Sequence, residues 1–258
     1  MKPHAKASRR RFLARAAAAA GALALSGCDA LSQTQWFPRL LGAGEKLSMA
    51  AQHLLGRNAM AQEFSEADLS PEFRSNGKAS PNNPAYQALA IRDFVDYRLE
   101  VGGLVAKPAS FSLAELRALP SRTQITRHDC VEGWSAIGKW KGAKLSALLE
   151  RVAPQPGARY VMFYCADPWH EDGTALYYES IDMIDAFHPQ TILAYELNDK
   201  VLPMPNGAPI RLRVERQLGY KHAKYVMRME LVERFDKIGG GKGGYWEDNE
   251  GYAWYAGI

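Results

Sequence analysis

Short strand-like segments separated by turns recur through most of this chain, and this pattern restricts its fold class. Alternating or continuous apolar runs predict strands over residues 97–101, 123–128, 159–165, 191–197, 210–214 and 225–232. A capping box formed by Ser112 and Glu115 predicts a short helix that ends before Pro120, and three leucines predict another helix over residues 144–152. Strands and helices do not alternate regularly. The chain is therefore predicted to be a mixed α+β domain.

The N-terminus carries the pattern of an export signal. Ser8-Arg9-Arg10-Arg11-Phe12-Leu13 matches the twin-arginine motif, and an apolar run follows from Ala16 to Leu25. The run is much shorter than the roughly 20 residues that a permanent membrane-spanning helix requires. Residues 1–27 are therefore predicted to be a twin-arginine signal peptide. The alternative is an alanine-rich amphipathic helix with a basic start.

The end of this segment predicts a lipid anchor. Leu25-Ser26-Gly27-Cys28 has the form of a bacterial lipobox, in which the cysteine becomes the lipidated first residue. Asp29 is typical of lipoproteins that stay in the inner membrane of Gram-negative bacteria. The expected location is therefore the periplasm, with anchoring through Cys28. The alternative is an ordinary cleavage site followed by a cysteine that occurs there by chance.

Removing the predicted signal changes the charge of the chain. The whole chain has a formal net charge of +4, and residues 1–27 contain six basic residues and no acid, so the remainder carries −2. This balance gives no support for nucleic-acid binding.

The remainder is predicted to have two parts. Residues 28–69 are predicted to be a tether and helical extension, with loosely helical apolar spacing over residues 50–61. Residues 70–258 are predicted to be the folded domain, which begins with a segment rich in proline, asparagine and glycine.

The segment Arg127–Ser135 is the strongest chemical signal, because Cys130 directly follows a predicted strand. A cysteine in this position could be a packed thiol, a nucleophile or a metal ligand. His128 and Asp129 are too close in sequence to complete a good triad on an extended chain. A zinc site would need further Cys or His ligands at known spacings, which are not found here. A single soft thiolate fits a cofactor that supplies the other sulfur ligands. A Cys130–Cys165 disulfide in an exported protein is the remaining alternative.

Cys130-Val131-Glu132-Gly133-Trp134-Ser135, followed by Trp140, Gly142 and the leucine-rich helix, resembles the cofactor segment of the sulfite oxidase family of molybdopterin-dependent oxidoreductases. The likeness is greatest to the bacterial periplasmic branch that includes the methionine sulfoxide reductase catalytic subunit, and it runs from about Phe73 to the C-terminus. It implies a mixed-sheet, sulfite oxidase-type molybdopterin-binding domain. It also implies the molybdenum-molybdopterin cofactor, with Cys130 as the protein's ligand to molybdenum beside the two dithiolene sulfurs.

The resemblance implies further site residues. The positions that match the family's cofactor contacts are Asn76, Cys165, Asn206, Arg211, His222, Ala223 and Lys224. Tyr245 lies at the distance from Lys224 where sulfite oxidases have an active-site tyrosine, and it is expected to donate a hydrogen bond to substrate. Each position also has an ordinary structural interpretation. Asn76-Gly77 is a common turn, Cys165 could be a buried strand thiol, and the aromatic tail could be a strap that packs on the domain.

The resemblance predicts oxygen-atom transfer, with reduction of S- or N-oxides as the expected direction. Sulfite oxidases have an arginine at the place of Ser75, and the chain lacks their dimerisation domain. Both departures favour the monomeric periplasmic branch. A dehydrogenase of sulfite or another small anion, and a non-enzymatic lipoprotein, are the alternatives. The chain contains no Cys-x-x-Cys-His motif, so a haem membrane protein or a cytochrome is expected as electron partner, and no nucleic acid.

Overall fold

The structure is a computed structural model that describes residues 33–34, 36–168 and 175–258. The predicted signal peptide over residues 1–27 and the predicted lipidation site at Cys28 lie outside the described residues. The chain divides into two compact units, residues 1–54 and residues 55–258.

The described part of the first unit is helical. Helix α1 spans Trp36–Gly56, so it begins upstream of the helical segment predicted over residues 50–61 and ends within that segment. Trp36, Leu40 and Leu47 on this helix are exposed. No helix in the described ranges is both long enough and apolar enough to cross a membrane.

The described residues of the second unit form two five-stranded sheets. The strands of the first sheet are β1 (Arg98–Gly103), β2 (Ala109–Ser112), β5 (Tyr160–Pro168), β6 (Leu176–Asp182) and β10 (Val226–Val232). They run in the order β2-β1-β10-β5-β6. Strands β1 and β10 are parallel and the other neighbours are antiparallel, so the sheet is mixed as predicted.

The second sheet is antiparallel and carries the cofactor segment predicted from the sequence. Its strands are β3 (Ser121–Asp129), β4 (Ser135–Lys144), β7 (Ile192–Leu197), β8 (Lys200–Val201) and β9 (Arg211–Arg213). They run in the order β3-β4-β7-β8, and β9 pairs with residues 192–194 of β7. Strands β3 and β4 form a hairpin, and the turn between them contains Cys130.

The described residues of this unit also form five short α-helices, of which the first precedes β1 and the last follows β10: α2 (Pro84–Ala90), α3 (Leu113–Arg117), α4 (Leu145–Val152), α5 (Met183–Ala186) and α6 (Tyr245–Asn249). The predicted capping box is confirmed at α3, where the Glu115 backbone N–H donates to Ser112 Oγ and the Ser112 N–H donates to the Glu115 carboxylate. The helix predicted over residues 144–152 is confirmed as α4. Its three leucines, Leu145, Leu148 and Leu149, are fully buried.

Trp140 is the centre of a small core that supports the Cys130 hairpin. Its side chain is fully buried on β4, and Phe73 packs edge-on against it with ring centroids 4.9 Å apart. The guanidinium groups of Arg213 and Arg211 lie 4.4 and 5.3 Å from the centroid of the ring. Cations over an indole face are electrostatically favoured. Trp140 therefore holds two buried arginines beneath the cofactor segment.

Residues 55–69 pack within the second unit, upstream of the boundary predicted at residue 70. The Ala61 N–H donates to Gln190 Oε1 at 2.7 Å, and Gln190 Nε2 donates to the Ala61 carbonyl at 3.0 Å. The Phe64 N–H donates to the Ile125 carbonyl at 2.9 Å. The contacts of this segment therefore belong to the compact unit and not to a free tether.

Candidate active site

A pocket opens at the turn between β3 and β4. Its volume is about 660 Å³, including the solvent-filled space at its mouth. Three segments distant in sequence form its walls: the loop at residues 76–78, the hairpin turn at residues 130–132 and the loop at residues 220–224. Asp167, Tyr177 and Trp246 complete the lining. The pocket therefore brings a thiol, cations, a carboxyl and aromatic rings together.

Cys130 is held by the hairpin turn. Its backbone N–H donates to the Trp134 carbonyl at 2.9 Å, and its carbonyl accepts from the Gly133 N–H at 3.0 Å. Burial raises the pKa of the Cys130 thiol, while a backbone hydrogen bond at Glu132 and the charges of Arg74 and Arg211 oppose the shift.

Cys130 and Cys165 are both free thiols. The disulfide expected in the non-enzymatic alternative is therefore absent between these two described cysteines.

Lys224 joins two backbone segments beside the pocket. Its Nζ donates to the carbonyls of Asn76 and Lys78, both at 2.6 Å, and to the carbonyl of Pro205 at 2.9 Å. Burial and the charge of Arg211 lower the pKa of Lys224 to about 7. Gly207, with φ +112°, lies against this side chain, and a Cβ there would come within 3.0 Å of Lys224 Cβ.

Arg211 lies directly behind this wall and is fully buried. Its guanidinium donates to the Asn206 carbonyl at 3.1 Å, to the His222 carbonyl at 3.2 Å and to Asn76 Oδ1 at 3.4 Å. Burial and the neighbouring charge of Arg213 lower the pKa of Arg211 to about 9, so the group is still a cation at neutral pH. Arg211 therefore places a buried positive charge behind the lining, and Lys224 adds a second cation that is partly deprotonated at neutral pH.

Two buried histidines have defined tautomers. His222 Nε2 lies 3.0 Å from the Gln217 carbonyl, which can only accept, so Nε2 carries the proton and Nδ1 is a free acceptor. His128 Nδ1 lies 2.9 Å from Arg213 Nη1, which can only donate, so in His128 the proton is on Nε2. Burial, nearby cations and, for His128, the other imidazole keep both pKa values well below the usual value, so both rings are neutral.

Gly219 makes room for this histidine pair. The two rings pack edge-on with centroids 5.0 Å apart. A Cβ at Gly219 would lie 2.5 Å from His128 Nε2, well inside van der Waals contact. A glycine is therefore required where this loop crosses the His128 ring.

Three aromatic residues also line the pocket, and we call Tyr177, Tyr220 and Trp246 the aromatic wall. The Tyr177 hydroxyl donates to the Tyr220 carbonyl at 2.6 Å. The ring of Trp246 stacks on Tyr252 at 5.7 Å, and Tyr252 in turn contacts Tyr220 at 5.1 Å. The lining of the pocket thus combines polar and charged groups with aromatic rings.

Asp167 places a carboxyl group at the base of the pocket. It lies near the end of β5, and its Oδ1 is buried with no hydrogen-bond partner among the described residues. Burial raises its pKa to about 6, while the charges of Lys224 and Lys78 oppose the shift. The group therefore titrates closer to neutral pH than an ordinary aspartate.

This shift predicts a dependence of stability on pH. The folded pKa of Asp167, about 6, lies above the ordinary value of 3.8, so the stability linked to its proton is present below pH 4 and is lost as pH rises through 6. Asp167→Asn should remove this loss. We expect the free energy of unfolding of the variant, relative to wild type, to increase by about 2 kcal/mol between pH 4 and pH 7. Urea unfolding of both proteins at both pH values measures this change. The prediction would be contradicted if the difference in unfolding free energy between variant and wild type were the same at pH 4 and pH 7.

The pocket brings together only part of the predicted site. Asn76, Cys130, His222 and Lys224 line it. Asn206 and Arg211 lie behind the lining, joined to it through the guanidinium of Arg211. The roles assigned to all these residues remain predictions.

Three predicted residues lie in the hydrophobic core of the unit and are not among the described residues that line the pocket: Cys165, Ala223 and Tyr245. Consecutive side chains on a helix project about 100° apart. Helix α6 begins at Tyr245, so the ring of Tyr245 packs inward while Trp246, the next residue, faces the pocket. Contact between the Tyr245 hydroxyl and a substrate is therefore not supported.

Sequence reasoning missed several residues of the lining: Lys78, Asp167, Tyr177, Tyr220 and Trp246. Lys78 could have been found because it lies two residues after Asn76. Tyr220 is adjacent to the predicted loop at residues 222–224. Asp167 and Tyr177 had no motif that distinguished them from other strand residues.

The residues present fit a molybdopterin. Four buried polar atoms around the pocket have no hydrogen-bond partner within the described ranges: His222 Nδ1, Asn206 Nδ2, Arg211 Nε and Asp167 Oδ1. Buried polar groups are normally paired, so this set of donors and acceptors is suited to a polar ligand. Arg211 and Lys224 suit a phosphate, and the Cys130 thiol suits a soft metal ion. The described residues contain no cluster of three or more His, Cys, Asp or Glu side chains that could hold a metal.

Comparison with known families agrees with this chemistry. Residues 86–237, more than half of the chain, match the family described as "Oxidoreductase molybdopterin binding domain". The chain belongs to this family. The resemblance to molybdopterin-dependent oxidoreductases is thereby confirmed, and the structure confirms the α+β class with one mixed sheet.

Curated relatives share the domain over different lengths. A putative protein-methionine-sulfoxide reductase subunit, YedZ1, from Azospira oryzae is 37% identical over 97% of this chain and 88% of that protein. The protein-methionine-sulfoxide reductase catalytic subunit MsrP of Burkholderia mallei is 31% identical over 90% of this chain and 72% of its own length. MsrP of Xanthomonas axonopodis is 40% identical over 54% of this chain and 45% of its own length, so the matched part spans about half of that protein.

Among solved structures, the sulfane dehydrogenase SoxCD from Paracoccus pantotrophus shows a distant likeness. It aligns with 54% of this chain and 39% of its own chain, with a TM-score of 0.49 and 24% identity.

Membership of the molybdopterin-binding family makes this protein a molybdopterin-dependent oxidoreductase, and the non-enzymatic alternative is not supported.

Proposed function

We propose that this protein reduces thioether S-oxides, including methionine sulfoxide, by oxygen-atom transfer in the pocket at Cys130. The observation that carries the proposal is the mixed lining of that pocket. A thiol and polar groups suited to the cofactor line the same pocket as an aromatic wall that suits apolar substituents on sulfur. The names of the relatives in Azospira, Burkholderia and Xanthomonas, which specify methionine sulfoxide, support the same substrate class.

When bound, the cofactor supplies the two-electron redox chemistry. The residues of the chain hold it and shape its surroundings. Cys130 would be the protein's metal ligand, and the charges of Arg211 and Lys224 would favour the phosphate of the cofactor. His222 Nδ1 would accept a hydrogen bond from the pterin, and Asn206 would donate one from its unpaired Nδ2.

The overall reaction consumes one sulfoxide, two electrons and two protons, and it releases one thioether and one water. The electrons require a partner, and we propose a haem membrane protein or a cytochrome, since the word "subunit" in the names of the relatives implies a further component. Asp167 lies in the lining with a pKa of about 6 and can hold one of the protons near neutral pH. A protein that acts as a monomer with a separate electron donor is consistent with this scheme.

We propose that the chain is exported by the twin-arginine route and anchored in the inner membrane through Cys28. The order of twin arginine, apolar run and lipobox in the sequence supports this proposal. Anchoring there would keep the pocket near a membrane-bound electron donor.

Sulfite oxidation is the reaction against which the proposal is tested. Ser75, which replaces the arginine of sulfite oxidases, donates its hydroxyl proton to the Pro205 carbonyl at 2.5 Å and so supplies no cation to the pocket. We expect purified holoenzyme to contain about one molybdenum atom per chain. It should reduce methionine sulfoxide with an artificial electron donor and should not oxidise sulfite. Sulfite oxidation without sulfoxide reduction would overturn the proposal.

A further inference from the structure

A fully buried ion cluster lies behind the aromatic wall. Lys221 Nζ is 2.5 Å from Glu179 Oε1 and 2.7 Å from Glu247 Oε1, and the side chains of all three residues are at most 1% exposed. We call these three residues the Lys221 cluster. Burying three charged groups is expensive, so their geometry has to be well defined to be tolerated.

Each member of the cluster is next to, or two residues from, one residue of the aromatic wall. Lys221 follows Tyr220 in a 3₁₀ turn, and Glu247 follows Trp246 on α6. Glu179 lies two residues after Tyr177 on β6, so the two side chains are on the same face of that strand. The Tyr177 hydroxyl also lies 3.4 Å from Glu179 Oε2.

The cluster therefore joins three elements that have no backbone pairing with one another in the sheets: β6, the turn at residues 219–221 and α6. The Lys221 ammonium also lies over the rings of Tyr220, at 5.8 Å, and Trp254, at 5.3 Å. One cation thus fixes the separation of the three segments that carry the wall.

We propose that the Lys221 cluster positions the aromatic wall, and that the wall selects sulfoxides by the size and apolar character of their substituents. The inference rests on the proposed sulfoxide reduction for its substrate class. Lys221, Glu179 and Glu247 are positioning residues, because the described lining of the pocket contains none of them. Sulfur and methyl groups make favourable contacts with aromatic rings, so the wall distinguishes a bulky apolar substituent from a small one.

The charges in the cluster explain how it can be altered without unfolding the unit. Two carboxyl groups share one ammonium, and burial raises the pKa of Glu179 well above its usual value while Lys221 opposes the shift. Lys221→Met would leave two buried acids without a cation, and it is expected to destabilise the fold. The triple variant Lys221→Met/Glu179→Gln/Glu247→Gln keeps similar side-chain shapes and has no buried charge.

The test uses holoenzyme of the wild type and the triple variant, with methyl phenyl sulfoxide and dimethyl sulfoxide as probes. Binding to the oxidised enzyme is measured by calorimetry, and KM and kcat are measured in turnover. The matched control is Arg216→Met/Asp185→Asn, which removes another buried ion pair that lies outside the described lining of the pocket. Molybdenum content is measured for every variant.

We expect the triple variant to raise KM and Kd for methyl phenyl sulfoxide about tenfold, with kcat within about threefold of wild type. The values for dimethyl sulfoxide should change by less than about twofold, and the control should match the wild type. Equal constants for the triple variant and wild type, or a fall in kcat alone, would overturn the inference. If the wild type binds sulfoxides without reducing them, the Kd values decide the inference and the proposed function fails separately. If the wild type binds neither probe, both fail.

Discussion

Replacement of Cys130 by serine is expected to abolish molybdenum binding and to lower kcat for sulfoxide reduction at least about 10³-fold, or about 4 kcal/mol in activation free energy. Cys130 is the only described cysteine that lines the pocket, and a hydroxyl is a much poorer ligand than a thiolate for a soft site completed by sulfur. The hairpin turn should persist in the variant, because its hydrogen bonds are made by the backbone. Elemental mass spectrometry measures molybdenum, and a reductive assay measures kcat.

Cys165→Ala is the matched control for this experiment. It removes the other thiol of the same unit, which is 2% exposed and packed in the core. We expect this variant to keep its molybdenum and to lose only stability. Full molybdenum content in Cys130→Ser would contradict the assignment of Cys130, and loss of the metal in Cys165→Ala would show that the buried thiol also matters for the cofactor.

Replacement of Arg213 by methionine is expected to cost about 3–5 kcal/mol of unfolding free energy, the range found when one partner of a buried ion pair is removed. Arg213 and Glu215 have no side-chain exposure, and they form a two-point contact with distances of 2.8 Å and 2.5 Å. The guanidinium also donates to His128 Nδ1 and packs on the face of Trp140. Urea unfolding measures the loss, and a cost below 1 kcal/mol would contradict the prediction.

The double variant Arg213→Met/Glu215→Gln separates charge from packing. It removes the uncompensated carboxylate, while a glutamine at residue 215 can still accept the hydrogen bond from Gln124 Nε2, which is 2.9 Å long. Replacing a buried ion pair by neutral groups of similar volume is often close to neutral. We therefore expect the double variant to recover most of the stability. Equal losses in the single and double variants would show that packing on Trp140, rather than charge, accounts for the effect.

The parts of the fold that could be predicted are those with a local signal. The alternation over residues 97–101 and 225–232 appears as β1 and β10, and the capping box at Ser112 appears as the start of α3. Strands β4 and β6 were not predicted. β4 has basic residues and glycines among its apolar positions, and β6 has acids, so neither has a strong strand pattern.

The candidate site divides in the same way. The polar side follows from short motifs, since the loop at residues 76–78, the cysteine turn and the loop at residues 222–224 can each be recognised in the sequence. The aromatic wall depends on tertiary structure. Tyr177 and Trp246 lie 69 positions apart in the numbering, and only the folded chain shows that both line the same pocket as Cys130. The distance from Lys224 selected Tyr245, but the helical rotation at α6 makes its neighbour the residue at the pocket.

The position of α6 in the chain also determines when the pocket can first hold a ligand. Trp246 is the last residue of the described lining to be synthesised, and the buried contact between Glu247 and Lys221 cannot form before Glu247 has been added. Until then the aromatic wall lacks Trp246, and Lys221 has only one of its two acidic partners. The cofactor can therefore be captured in a complete pocket only after synthesis has passed Glu247.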